Sequence, residues 1–574
     1  MDSILIVVVS FVGYMIAYYT YGKYLSQKVF GLDAERLVPS RELTDGVDYV
    51  PTKKQVIFGH HFTSIAGTGP IVGPAIGIIW GWVPALLWVF LGSVFMGAVH
   101  DLGALVISLR HKGHTMAEIT GKVMNRRLKI MFFIIVFLAV LIVIAIFGLV
   151  IAIIFDMYPQ AVLPVWMQIP IAIVMGRLIK SGKMNLTLIT ALAVTAMYGT
   201  IVLGNAVPLP MPEIAGIPAT GVWTVLLLIY AYIASTLSVT TLLQPRDYIN
   251  AWQLMIAMAL VVLGVFVAAP TMVAPAFNMA PEGAPPWMPF LFITIACGAI
   301  SGFHCLVSSG TSSKQVESEP DARFVGYGSM LTEGFLATMV LIACGAGLSL
   351  AYTTPDGQTL TGSAAFATHY GSWMASSGIG SKVTAFVVGA ANMISSLGVP
   401  KDFAIVLMGV FVASFAGTTL DTSTRIQRYV ISELATDLKI EVFTKRHAAT
   451  LLAVVTAAAL AFYNGAGGKG ALLLWPLFGS MNQLLAGLAL VVISYWLRQQ
   501  GKNFLVSLIP ALIIMVFTSW ALVHTLGSLY GSGNIPSFVI GCVALMLQIW
   551  LSVEGLTMLA KEPGGSHAEP AVGG

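Results

Sequence analysis

Long apolar runs separated by short polar connectors repeat along almost the whole chain. A bilayer core of about 30 Å takes ~20 residues of helix. Runs of that length fall at 3–22, 55–80, 82–108, 131–155, 161–180, 185–204, 221–243, 250–272, 288–313, 327–351, 401–424, 447–464, 470–497, 504–526 and 536–558. Helices are predicted for all of them, because an open sheet cannot satisfy its backbone groups in lipid. One further stretch, 355–400, contains an apolar run at 383–397 but is rich in Gly and Ser. It suits an external segment that dips in without crossing. The predicted fold is all-α, a polytopic transmembrane helix bundle forming a single domain over 1–560 with about fifteen spans. A short polar tail, 561–574, is expected to be disordered and cytoplasmic.

Composition agrees. Charged residues make up 9% of the 574 residues and apolar ones 57%, where a soluble domain is about a quarter charged. The mean hydropathy is +0.87. A net charge of +4, held in short basic clusters, speaks against nucleic acid and for charges sorted across a lipid bilayer. Cys297, Cys305, Cys344 and Cys542 lie in apolar runs without metal-ligand spacing and read as small buried hydrophobes. Residues 4–21 lack a basic leader and read as a span rather than a cleaved signal. Alternating from the basic connectors 23–54 and 109–130, the pairs and clusters at Lys180/Lys183, Arg246, Lys314/Arg323, Lys439/Lys445/Arg446, Arg498/Lys502 and Lys561 fall on one side. That side is predicted to be cytoplasmic, with the amino terminus periplasmic and the carboxyl terminus inside. Were 383–397 to cross, the basic stretch 425–446 would move outside.

Four features carry chemistry. In 55–80, Gly67-Thr68-Gly69-Pro70 sits at mid-span, two turns or less from His60 and His61. Proline without an N–H and two poor helix formers predict a break. A broken helix at membrane depth offers backbone groups to an anion or a cation; a plain Pro kink beside a Gly packing face is the alternative. In 288–313, Gly298 to His304 and Ser308-Ser309-Gly310-Thr311-Ser312 interrupt a span of opposite direction, and the break falls at one cluster or the other. Two interrupted helices of opposite direction suggest inverted repeats around a midplane site. Third, Asp101, Glu333 and Asp421 lie inside spans, each at a cost of at least ~2.5 kcal/mol. His60, His61, Asp101 and Glu333 could relay protons or serve as a structural network, the reading preferred for His100. Fourth, Thr418, Thr419 and Asp421 could hold a hard cation, or the hydroxyls could bond back to helix carbonyls while Arg425 neutralises Asp421.

Tyr49-Val50-Pro51-Thr52-Lys53, Phe58-Gly59-His60-His61-Phe62 and Ala66-Gly67-Thr68-Gly69-Pro70 resemble the amino-terminal signature of the carbon starvation protein A family. So do Pro245-Arg246-Asp247-Tyr248, Ile300-Ser301-Gly302-Phe303-His304, Ser308-Ser309-Gly310-Thr311, the stretch from Gly326 to Glu333, that from Thr419 to Arg425, and Trp475 through Gln483. The resemblance runs from about 49 to 490. It implies uptake of peptides or pyruvate by nutrient-starved bacteria through the inner membrane. It also implies the five-plus-five inverted-repeat core of the amino acid–polyamine–cation transporters. In that core 55–80 and 288–313 would be the broken helices, 355–400 the re-entrant external element, and 401–424 the helix that helps hold sodium in some relatives. Two more spans lie between the broken helices than that core needs; they keep the parity, as an insertion would.

The reading is an ion-coupled importer of small carboxylates, pyruvate or di- and tripeptides, working by alternating access and needing no cofactor. Substrate contact is expected at Gly67, Thr68 and Gly69, with Ser308, Ser309, Gly310 and Thr311 opposite. His60, His61, Asp101, His304 and Glu333 are expected to carry protons, the favoured coupling ion, and Thr418, Thr419 and Asp421 a cation if sodium is used instead. No catalytic set is expected, and no metal site, since the histidines lack ligand spacing. A carboxylate-binding channel or membrane sensor is the rival reading. The sequence leaves the oligomeric state open.

Overall fold

The computed structural model describes residues 3–354, 356–376 and 378–561; all but the first residue of the tail expected at 561–574 lies outside them. Apolar stretches fold into helices bounded by local signals. In chain order these are α1 (Ser3–Val29), α2 (Lys54–Ala66), α3 (Gly69–Trp80), α4 (Trp82–Arg110), α5 (Arg126–Met157), α6 (Pro159–Ser181), α7 (Leu186–Ala206), α8 (Ala219–Thr236) and α9 (Leu243–Ala268). They continue with α10 (Trp287–Thr294) and α11 (Phe303–Gly310). Then come α12 (Arg323–Leu350), α13 (Ile379–Ser395), α14 (Lys401–Asp437), α15 (Arg446–Phe462), α16 (Gly470–Gln499), α17 (Leu505–Gly531) and α18 (Ile535–Ala560). Asn125 caps α5 by accepting from Leu128 N at 2.9 Å, and Asn185 caps α7 by accepting from Thr187 N at 2.9 Å. Such caps satisfy amide donors that the helix itself leaves free. Among the described residues 12 helices are long and apolar enough to cross a membrane, or 13 if the bent pair α2–α3 counts as one span.

Burial sorts the helices into a core and a shell. The most apolar windows of α12, α14 and α16 are 94%, 89% and 89% buried, whereas those of α7 and α18 are each 28% buried. The long helices α5 and α14 pack along each other at the centre. α6 and α7 pair at the periphery against α9 and build a small apolar cluster of their own, with Ala172, Met175, Ile189 and Ile249. A two-stranded hairpin, Tyr352–Thr353 with Thr359–Leu360, precedes the helical segment that leads to α13. α13 itself packs on α14, α9 and α3.

The connectors predicted to share a side are joined to one another. Val50 N and Thr52 N donate to the carbonyls of Lys314 and Gln315 at 3.1 and 2.9 Å. Asp48 accepts from Arg425 Nη1 at 2.8 Å, and Glu319 is 2.7 Å from Arg110 Nε. Lys129 reaches Glu118 and Asp437 at 2.6 and 2.7 Å. The opposite face is knitted by Ser3 Oγ to Pro270 O, Trp373 N to Glu282 O and Thr220 Oγ1 to Gly467 O.

Candidate functional site

Two helix breaks meet across one cavity. In the first, Gly67 holds φ 47° and ψ −143°, a conformation open to glycine and strained for any other residue. The chain bends by 43° between α2 and α3. In the second, residues 295–302 are unwound between α10 and α11, with Gly298 at φ +88°. This places the break at the first glycine cluster rather than at Ser308–Ser312. Residues Ser308, Ser309 and Gly310 stay helical on α11, and Thr311 follows its end. Their hydroxyls turn inward: Ser308 Oγ donates to Asp101 O at 3.4 Å, Ser309 Oγ to Cys305 O at 2.6 Å and Thr311 Oγ1 to Val307 O at 3.2 Å. The group expected opposite Gly67–Gly69 is therefore replaced by Cys297. A Cβ built on Gly69 would collide with the Cys297 side chain.

Unwound backbone inside a bundle needs partners, and α16 and α12 supply them. Asn482 Oδ1 accepts from Phe303 N at 2.9 Å and from Ser301 Oγ at 3.1 Å, and its carbonyl accepts from Gly302 N at 3.1 Å. Gln483 Nε2 donates to Phe292 O at 2.7 Å. Glu333 Oε1 accepts from Gly298 N at 2.9 Å. Asn482 and Gln483 lie in a stretch the family resemblance marks, yet nothing local in the sequence ties them to a break 180 residues earlier.

The cavity holds about 590 Å³, within the range of small-molecule sites, ~300–1,000 Å³. Thr68 and Gly69 of the first break and Ala296 and Cys297 of the second line it. From there it reaches Pro285 and Trp373, on the face opposite the basic connectors. The start of α3, at Thr68 and Gly69, lines this space and brings the positive end of the helix dipole to it. Lys382, on the first turn of α13, also lines the cavity and is 3% exposed.

Directly behind the second break the acids converge. His304 Nδ1 is 3.0 Å from Asp101 Oδ2, and His304 Nε2 is 3.3 Å from Glu333 Oε2. His100 Nδ1 lies 2.9 Å from the other oxygen of Asp101. All four side chains are fully buried. The Nε2 of His304, Oε2 of Glu333 and Nε2 of His100 have no hydrogen-bond partner with good geometry. The ligand atoms of Cys297, His304 and Glu333 lie within 4.8 Å of one another, the one group among the described residues placed to hold a metal; its N, O and S donors suit a borderline ion. His61 is separate. Its Nδ1 is 2.8 Å from Ser312 Oγ and its Nε2 has no partner.

His60 belongs to a second network. Its Nδ1 is 2.5 Å from Asp247 Oδ2, and its Nε2 is 3.2 Å from Thr311 Oγ1. Next to Asp247, Arg246 pairs with Asp421 and donates to Tyr230 OH at 2.5 Å. Tyr230 OH in turn donates to Asp421 Oδ2 at 2.7 Å.

Thr418, Thr419 and Asp421 do not converge on one oxygen site. Thr419 Oγ1 donates to Ser64 O at 3.3 Å, against the first break. Thr418 Oγ1 donates to Ser414 O at 3.1 Å and accepts from Asn250 Nδ2 at 3.2 Å. Asp421 lies two residues after Thr419, about 200° round the helix, and faces Arg246 instead. Nor is Arg425 its partner: Arg425 turns to Asp48 and to the carbonyls of Ala234 and Leu237.

The family model described as "Carbon starvation protein CstA" matches residues 2–521. The peptide transporter CstA of Campylobacter jejuni is 33% identical over 90% of this chain and 79% of its own length. The pyruvate/proton symporter BtsT of Escherichia coli is 32% identical over 91% of this chain and 81% of its own. The peptide transporter CstA of Mycobacterium tuberculosis is 33% identical over 87% of this chain and 72% of its own. Among solved structures, the Eremococcus coleocola manganese transporter superposes with a TM-score of 0.51 at 13% identity. That match spans 90% of this chain and 99% of that one, and what it shares is the fold.

Proposed function

The chain belongs to the carbon starvation protein CstA family and is a multi-pass secondary transporter, and from that premise we propose that it imports small carboxylates in symport with protons. The basic face is cytoplasmic on this reading, and the cavity opens to the periplasm. α13 is then part of an external element that enters the bundle without crossing.

The observation that carries the proton assignment is a difference between the two buried networks. Asp421 has a permanent cation paired with it in Arg246, and Asp247, bonded to His60, is the residue next to that arginine. Asp101 and Glu333 have none: their partners are His100, His304 and a backbone amide. Two carboxylates without a fixed counter-charge cannot both stay ionised in a dry bundle unless a neighbouring histidine takes up a proton and becomes the counter-charge; otherwise a carboxylate itself is protonated. That set must therefore hold exchangeable protons, and Glu333 ties its state to the backbone of the break through Gly298. A substrate that moves the break moves the group that holds the proton.

Uptake of labelled pyruvate and of dialanine into proteoliposomes, with a proton or a sodium gradient imposed alone, tests the proposal. Proton-driven accumulation that is lost in Glu333→Gln and His304→Gln is expected. Uptake driven by sodium alone, lost in Thr419→Ala and retained in Glu333→Gln, would move the coupling site to the first break. Equilibration without accumulation would mark a channel.

A further inference from the structure

We propose that Lys382 is the counter-charge for the carboxylate of the transported solute, and that the outer cavity thereby selects small anionic carboxylates over zwitterionic peptides. This rests on the transport reading above and adds to it the charge class of the substrate and the residue that recognises it.

Lys382 is 3% exposed, and it forms no ion pair among the described residues. Its ammonium lies 5.2 Å from the centroid of the Trp475 ring, and both residues line the cavity. An ammonium taken out of water loses hydration that a neighbouring ring recovers only in part, so a buried lysine without a carboxylate is rare unless a ligand supplies one. The cavity offers no protein anion: the described lining contains no Asp or Glu, and its other titratable side chains are Cys297 and His524. The start of α3, a helix of nine residues before its last tightened turn, lines the same space at Thr68 and Gly69, and its dipole favours negative charge there. A dipeptide would bring an ammonium as well as a carboxylate, and nothing charged in the lining answers the ammonium. A small monocarboxylate needs only the lysine, the helix start and the apolar walls.

The test uses the full-length protein in proteoliposomes, with pyruvate and dialanine as probes and pyruvamide as the uncharged competitor. Lys382→Gln is expected to raise the KM for pyruvate about ten- to a hundredfold, the range for losing a charged hydrogen bond, with kcat little changed. Lys382→Arg, which keeps the charge, should stay close to the parent. Tryptophan fluorescence titrated with pyruvate gives a reading independent of transport. Its half-saturation should shift with the KM in Lys382→Gln, and the signal should shrink in Trp475→Phe. Pyruvamide should compete poorly in the parent and as well as pyruvate in Lys382→Gln. If Lys382→Gln is not recovered as a monodisperse protein, Lys382→Met is read in the same way. A KM and a half-saturation within about twofold of the parent in the charge-removing variant would overturn the assignment. A parent that takes up dialanine and not pyruvate would overturn it too, while leaving the transporter intact. A parent that accumulates neither would remove the transport reading along with it.

Discussion

Gly67→Val is the sharpest perturbation of the first break, because its magnitude follows from the geometry. The backbone at φ 47°, ψ −143° costs a residue with a side chain ~1–3 kcal/mol, and a β-branched one falls at the upper end. The new Cβ would lie 2.5 Å from Thr419 Oγ1 and 2.9 Å from Phe147 Cε1, and overpacking of that kind adds ~1–3 kcal/mol. Together the observed geometry is disfavoured by at least ~2 kcal/mol, or about thirtyfold at 1.4 kcal/mol per decade. Initial uptake rates, normalised to the amount of protein in the membrane, should therefore fall at least about thirtyfold. The two components can be separated. Thr419→Ala removes the nearest atom but leaves the backbone strain, so the thermal midpoint of Gly67→Ala should be partly restored in Gly67→Ala/Thr419→Ala, with a favourable coupling in the double-mutant cycle. A Gly67→Val protein that transports like the parent would show that the break plays no part in binding or movement. Strict additivity in the cycle would show that Thr419 does not press on this glycine.

Other expectations follow from the same contacts. Asn482→Ala should lower the thermal midpoint substantially, because Phe303 N and Ser301 Oγ lose an acceptor inside the bundle, at ~1–3 kcal/mol for each buried group left unsatisfied. Burial alone would push the carboxyl of Asp48 up, but Arg428, Arg425 and Lys314 outweigh it and hold it at about 2, below its ordinary 3.8. A depressed carboxyl stabilises the fold above its unfolded value and loses that contribution as pH falls through the folded one. Asp48→Asn should therefore melt lower than the parent at pH 7, by on the order of 2 kcal/mol, and the gap should close between about pH 4 and 2. In a cysteine-free background, Gly357→Cys should label from the periplasmic side and Gln500→Cys from the cytoplasmic side; the reverse pattern would invert the orientation.

The first break was legible because glycine, threonine, glycine and proline announce it locally. The second was legible only as a choice between two clusters. Hydrogen bonding decided it. At the second cluster Ser309, Thr311 and Ser313 bond back to the carbonyls of Cys305, Val307 and Ser309 one turn earlier, and α11 stays wound through Gly310. At 295–302 the donors are met by Asn482 and Glu333, from helices far along the chain. Distance in sequence also hid the partners of the acids. Arg425 stands one turn from Asp421 and was the natural neutraliser, yet the observed partner is Arg246, 175 residues away. Asp101 and Glu333 meet through His304 rather than His61, because His304 begins the inner half-helix behind the break while His61 faces Ser312. Lys382 escaped for a simpler reason: one lysine on a glycine-rich segment forms no pattern, and only packing shows it buried.

Similarity alone does not choose a substrate, since relatives named for peptides and for pyruvate stand at 33% and 32% identity. The placement of charge does bear on that choice. On the proposed reading an anion enters beside Lys382, and the acid set behind the second break takes up a proton. An anion entering alone against a negative-inside potential is opposed by about 2.3 kcal/mol per 100 mV. One proton moving with it cancels that penalty, so a monocarboxylate is drawn in by the proton gradient alone. A zwitterion with one proton would instead carry net charge and be driven by the potential as well. The fixed charges fit the first case. Arg246 stands in the network of Asp421 and Asp247, which leaves Lys382 as the cation facing the cavity and Asp101 and Glu333 as the pair of acids with no arginine in its network. One uncompensated cation on the substrate's side of the break and uncompensated acids on the other form the charge pattern that an anion and a proton, arriving together, would neutralise.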